Sequence, residues 1–150
     1  MFGGESHTTS KTPIVYVSSS VTNASDKYRL FIQEFKKELR LKTPALVLEW
    51  QDKDAPITEG FFKRNLRNVE MCTVMIAFVD GPSIGVGLEI AEALTCKKPL
   101  LCLHKEDAVV SRLLLAAQSG FPIKNYKTLD EAVDIASKFI IEHQPRLHAG

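Results

Sequence analysis

Residues 80–89, Asp-Gly-Pro-Ser-Ile-Gly-Val-Gly-Leu-Glu, combine a turn, small residues and a carboxylate in one short span. They follow an apolar run at 72–79 that reads as a buried strand, and they lead into a helical pattern. Pro82, Gly85 and Gly87 allow a tight turn and a close backbone approach to a ligand. Amide groups at the start of the next helix favour an anion such as phosphate. Glu89 is expected in the first helical turn, where the macrodipole favours its ionised form. A carboxylate beside a phosphate cradle is suited to act as a nucleophile in sugar chemistry. The same spacing also fits a plain strand-to-helix turn with a solvent-facing Glu89.

The elements that must position these groups alternate along the chain. A β-branched strand at 14–19 precedes a helix at 26–41, whose apolar face is Tyr28, Phe31, Ile32, Phe35 and Leu39, with charges on the other face. A strand at 45–50, a helix at 57–69 with Phe61, Phe62, Leu66 and Val69 inward, the strand at 72–79 and a helix at 84–94 follow. A strand at 99–103, a short helix at 110–117, an edge strand at 122–126 and a helix from 128 to about 142 complete the series. Thr128 and Glu131 make a capping box. This alternation predicts an α/β fold: a three-layer, doubly wound, Rossmann-like or flavodoxin-like sheet of five parallel strands. One domain spans 1–150, with an ordered core over about 13–142. Ligands in such sheets bind at the carboxyl ends of the strands. Residues 18–22, 50–54, 80–87 and 104–111 lie there.

Composition narrows the function classes. With 150 residues, 45% hydrophobic and 25% charged, the chain reads as globular. A net charge of +1 gives no bulk electrostatic case for nucleic acid or a membrane surface. The three cysteines, Cys72, Cys96 and Cys102, form no C-x-x-C pair and suit reduced thiols. No His/Cys/Asp cluster has metal spacing, so neither a metal nor another cofactor is expected. The polar start, with no signal-like or membrane-length run, suggests a cytoplasmic protein, or a nuclear one by diffusion.

Three readings share this architecture. A dinucleotide site would want G-x-G-x-x-G after strand one, whereas Gly85 and Gly87 follow strand three and Ile90 holds the last position. A phospho-accepting receiver would use Asp80 at the end of strand three, yet it needs an acidic pair where Ser18, Ser19 and Ser20 stand. A phosphate-recognising glycosidase uses more of the residues.

The chain resembles the nucleoside 2-deoxyribosyltransferase superfamily, most nearly its 2'-deoxynucleoside 5'-monophosphate N-hydrolase branch, over roughly 14–141. Pro-Ser-Ile-Gly-Val-Gly-Leu-Glu at 82–89 carries the resemblance most specifically. Tyr-Val-Ser-Ser-Ser at 16–20, Lys-Pro-Leu-Leu-Cys-Leu at 98–103 and Ser-Arg-Leu-Leu-Leu at 111–115 support it. The resemblance implies that Glu89 attacks the anomeric carbon and forms a glycosyl-enzyme ester, with Tyr16 beside it. It implies a 5'-phosphate site at Ser19, Ser20, Thr22 and Ser83 and at the amides around Gly85 and Gly87. Ser111 matches a serine reaching the phosphate from the neighbouring subunit, which implies a homodimer. The implied substrate is a nucleoside 5'-monophosphate.

Two positions depart from the family. The aspartate expected 24 residues before the glutamate is Asn65, which hydrogen-bonds but delivers no proton as a carboxylic acid can. The arginine expected two residues after the phosphate serine is Thr22, which removes a charge-assisted contact. Transfer to a second base, or nucleotide binding with little turnover, therefore stand beside hydrolysis; Asp52, Asp54 or Glu59 are alternative proton donors. On their own terms, Asn65 also fits the edge of an apolar stripe, Tyr16 fits a core position, and the serine run fits a polar strand-end loop. His104 reads as a solvated loop residue. Trp50 either lines a base pocket or packs.

Overall fold

The computed structural model describes residues 11–21, 24–49, 56 and 58–145. Five strands, β1 (Ile14–Ser18), β2 (Leu46–Val47), β3 (Val74–Phe78), β4 (Leu100–Lys105) and β5 (Ile123–Tyr126), form one sheet in the order β2-β1-β3-β4-β5. Every pairing is parallel, with Tyr16 opposite Met75 and Ser18 opposite Ala77. Five helices alternate with the strands: α1 (Asp26–Lys42), α2 (Glu59–Met71), α3 (Ile84–Thr95), α4 (Arg112–Ala116) and α5 (Leu129–Glu142). This is the expected doubly wound sheet, and its order reverses between β1 and β3.

The two-residue period of the strands divides the core. Val15, Val17, Ile76, Phe78, Leu101 and Leu103 pack against α1 and α5. Tyr16, Met75, Ala77, Val79 and Cys102 face the other way, with Val69 of α2 and Val86, Ile90 and Ala93 of α3. Phe35 meets Phe78 edge-on at 4.8 Å on the first face, and Phe31 stacks on Tyr126 at 5.4 Å. Local chemistry starts the helices. Ser25, Thr58, Ser83 and Thr128 each accept a bond from the amide three residues on. Each such cap is worth about 1 kcal/mol.

Several boundaries differ from the expected ones. Among the described residues the second strand pairs over Leu46–Val47, with Leu48 N–H adding a bond to the Val15 carbonyl at 2.9 Å. Trp50, Asp52, Asp54 and Ile57 fall outside the described residues. α2 runs on to Met71 and α4 is cut to five residues, none of them buried. Lys36, on the face of α1 expected to be charged and outward, is only 4% exposed. Burial pushes its ammonium pKa down, and the Glu49 charge opposes that shift. α3 ends with Lys97 at φ 56°, in the left-handed region, while Lys98 N–H reaches the Ala93 carbonyl at 2.8 Å. No helix among the described residues is long and apolar enough to cross a membrane.

Candidate active site

A cavity of about 540 Å³ opens where the sheet order reverses, within the usual size range for a small-molecule site. The β1–α1 loop lines it with Ser19, Ser20 and Val21, and α2 supplies Phe61, Phe62, Asn65 and Leu66. Residues 82–89 contribute Pro82, Ser83, Ile84, Gly85, Val86, Leu88 and Glu89. Among these described lining residues Glu89 is the one ionisable side chain.

Glu89 is not in the first turn of its helix. Ser83 is the cap and α3 begins at Ile84, so Glu89 stands in the second turn, away from the strongest effect of the macrodipole. It is not solvent-facing either: it is 7% exposed, on the same stripe as Val86, Ile90 and Ala93. Burial pushes its pKa up, opposite to the expected bias toward the ionised form. Hydrogen bonds pull part of the way back. The Tyr16 hydroxyl donates to Oε2, and the Ser18 hydroxyl donates to Oε1 at 2.7 Å. Tyr16 and Ser18 are two apart on β1, so both point to the α2–α3 face. The Tyr16 phenol is itself pushed up by burial and then by the Glu89 charge, so it keeps its proton and acts as donor.

The helix start offers the second set of polar groups. Ser83 Oγ accepts from Val86 N–H at 3.3 Å, which leaves its own proton free to donate. Gly87 N–H is spent on the Ser83 carbonyl at 3.1 Å, so its amide is not available to an anion as expected. Gly87 also lies off the cavity wall. Both Gly85 and Gly87 sit inside α3 rather than in the turn; a Cβ at Gly87 would meet nothing within 4 Å. The amides of Ile84 and Gly85 remain, as the geometry of a helix end requires.

The other predicted residues are distributed as follows. Ser19, Ser20, Ser83, Gly85, Asn65 and Glu89 share the cavity, with Tyr16 behind Glu89. Ser111 is the exposed cap of α4, makes no side-chain cap bond and lies away from this cavity. Thr22 is outside the described residues. Glu59 pairs with Lys63 at 3.0 Å and does not line the cavity.

Ser18 is a site residue that the sequence reading does not single out, and Asp80 has a role other than the receiver one weighed for it. Ser18 was passed over as part of a serine run, although its spacing from Tyr16 put it on the same strand face. Asp80 is tied down, not free to accept a phosphoryl group: Tyr28 and Tyr126 hydroxyls reach it at 3.2 and 3.3 Å, and Lys105 N–H at 2.5 Å. It anchors the loop that leads to Ser83. Glu70, Glu92 and Cys96 bring ligand atoms within 4.8 Å of one another across α2 and α3, a grouping invisible in sequence spacing. Cys96 donates to Glu92 at 3.5 Å within that group.

Comparison with known proteins adds the following. No family model matches the chain. A Methanosarcina mazei protein named as a candidate 2'-deoxynucleoside 5'-phosphate N-hydrolase is 34% identical over 94 residues, covering 61% of this chain and 58% of the relative. The match thus spans less than two thirds of that relative's length. A 5-hydroxymethyl-dUMP N-hydrolase of Mus musculus is 26% identical over 129 residues, covering 80% of this chain and 75% of the relative. Among solved structures, a Clostridium botulinum CMP N-glycosidase superposes with a TM-score of 0.66 at 18% identity, over 84% of this chain and 98% of that one. A 2-deoxyribosyltransferase of Bacillus psychrosaccharolyticus gives 0.62 at 12% identity, over 81% and 90%. The chain is therefore similar in sequence to nucleotide N-hydrolases, and its fold is that of the 2-deoxyribosyltransferases.

Proposed function

We propose that this protein is an N-glycosidase that cleaves a 2'-deoxynucleoside 5'-monophosphate into free base and 2-deoxyribose 5-phosphate. The observation that carries this reading is Glu89: a buried carboxylate on the wall of the cavity, with each oxygen held by a hydroxyl from β1. A carboxylate oxygen attacks C1' as the C1'–N bond breaks, and the bonding pair leaves with the base. Water then attacks C1' of the glycosyl ester, the C1'–O bond breaks to regenerate the Glu89 carboxylate, and the proton that water gives up passes to the released base anion. Tyr16 and Ser18 orient the carboxylate so that it reacts from the cavity side. Ser19, Ser20, the Ser83 hydroxyl and the Ile84 and Gly85 amides hold the phosphate. Phe61, Phe62 and Leu66 form the apolar wall for the base, and Asn65 hydrogen-bonds its edge.

The working form in this reading is a homodimer. Its support is exposed apolar side chains: Ile84 and Leu88 at the cavity mouth, 86% and 50% exposed, and Leu113 beside Ser111 on α4, 82% exposed. In that dimer the resemblance assigns Ser111 of the neighbouring subunit to the phosphate.

A second reading, nucleotide binding with slow turnover, is favoured by Glu89 being the one ionisable side chain on the described wall, with Asn65 unable to protonate the base. Incubation with a panel of nucleosides and nucleotides separates the two. Release of free base together with 2-deoxyribose 5-phosphate supports the glycosidase. Tight nucleotide binding without base release overturns it in favour of the second reading.

A further inference from the structure

We propose that Arg29 sets the preference of this site for a phosphorylated sugar, by placing its charge behind the β1–α1 loop; the inference rests on the phosphate-binding reading above. A phosphomonoester carries about −1.5 to −2 charges at neutral pH. The described wall of the cavity offers it hydroxyls and amides but no cation, and the wall also carries the Glu89 carboxylate. Neutral donors facing an anion that already has an anion beside it give weak discrimination between a phosphorylated and a plain sugar.

Arg29 is positioned to change that balance. It lies in the first turns of α1, and its Nη2 donates to the Val21 carbonyl at 3.1 Å. Val21 lines the cavity next to Ser19 and Ser20. The guanidinium therefore bonds the backbone of the loop that carries the two serines, and a charge acts over a screening length of about 8 Å at physiological salt. It pairs with Asp26 at 3.5 Å from Nη1, but Asp26 is 93% exposed and Arg29 39% exposed, so that ion pair is weak. The Nε of Arg29 is buried with no hydrogen-bond partner. Tyr28, its neighbour, grips Asp80 on the other phosphate-side loop, so one turn of α1 braces both loops. Thr22, in the same loop, brings no charge of its own. Arg29 is thus a positioning residue that acts through Val21 and through its field, not a group that touches the substrate.

The test compares Arg29→Gln, which keeps a donor for Val21 but removes the charge, with Arg29→Lys, which keeps the charge. Calorimetry with 2-deoxyribose 5-phosphate and with 2-deoxyribose reads binding without cleavage, and KM for dUMP against deoxyuridine reads the same preference in turnover. Expected for Arg29→Gln is an affinity about ten-fold weaker for the phosphorylated ligands, unchanged affinity for the plain sugars, and a shallower salt dependence; Arg29→Lys restores most of the preference. Equal loss for phosphorylated and plain ligands would mean that Arg29 only holds the loop, and would overturn the inference. So would an Arg29→Gln protein that keeps the wild-type preference, and in that case the phosphate site itself stands. A wild-type protein with no preference for phosphorylated ligands would remove the phosphate site and the inference together.

Discussion

The Tyr16 hydroxyl donates to the carboxylate of Glu89, 73 positions further along the chain, and both residues are buried. That bond joins the middle residue of β1 to the second turn of α3. It fixes one carboxylate oxygen while Ser18 fixes the other. A carboxylate held this way loses little orientational freedom on reacting, which is where much of the advantage of a positioned nucleophile lies.

Replacing Glu89 removes the reaction but not the fold. Glu89→Gln should lower turnover by three orders of magnitude or more in a base-release assay. The same variant should be more stable than wild type at neutral pH. The folded-state pKa of Glu89 is raised, so the stability this group contributes is present below the ordinary glutamate range and is lost as pH rises through the raised value. The difference in Tm should therefore be small in acid and grow toward neutrality, by about 2–4 °C for each kcal/mol involved. A difference that is flat with pH would contradict it.

The activity of wild type should rise with pH through the raised pKa of Glu89, because the nucleophile is the ionised form. Both hydroxyl donors favour that form. Ser18→Ala and Tyr16→Phe should each move the acid limb of the kcat/KM profile to higher pH, and the double variant further than either. A limb that stays in place would assign it to another group.

Asn65→Asp should raise kcat with ordinary 2'-deoxynucleotides, since a positioned general acid contributes about 10²–10⁴-fold. A fall in activity would mean that the amide reads the base edge and that the proton comes from elsewhere, with Asp52 and Asp54 the first to test.

Asp80→Ala should destabilise the protein by about 1.5–3 kcal/mol, because two tyrosine hydroxyls and the Lys105 amide lose a charged acceptor. Denaturant melts read this directly. A neutral result would mean that water replaces the carboxylate without cost.

Lys97→Gly should stabilise the protein by about 1 kcal/mol. The residue holds a left-handed conformation that costs a lysine more than a glycine, while the Lys98 N–H bond to Ala93 is kept. Thermal unfolding is the measurement, and a lower Tm would show that the lysine side chain contributes elsewhere.

Much of this protein is written locally. The β-branched run at 14–18, the apolar spacing of Ile32, Phe35 and Leu39, and the caps at Ser25, Thr58, Ser83 and Thr128 depend on neighbours within a turn or two. Periods of two and 3.6 residues, together with strand–helix alternation, determine a parallel sheet covered on both faces. The burial of Glu89 on the stripe of Val86, Ile90 and Ala93 appears only in the structure, against the first-turn or solvent-facing position expected for it. The helix expected at 84–94 holds Gly85 and Gly87, so with Ser83 as its cap they stand inside α3 and not in the turn that glycine also suits.

What the chain could not state locally are the contacts that close long loops. Ser18 and Tyr16 meet Glu89 only because β1 pairs with β3 and α3 packs back on β3. Asp80 becomes an anchor only once β4, β5 and α1 converge on it. The pKa of Glu89 follows from burial among side chains drawn from two distant segments. Such properties belong to the packed state, because desolvation and hydrogen-bond geometry depend on which remote groups arrive, and sequence spacing carries no record of that.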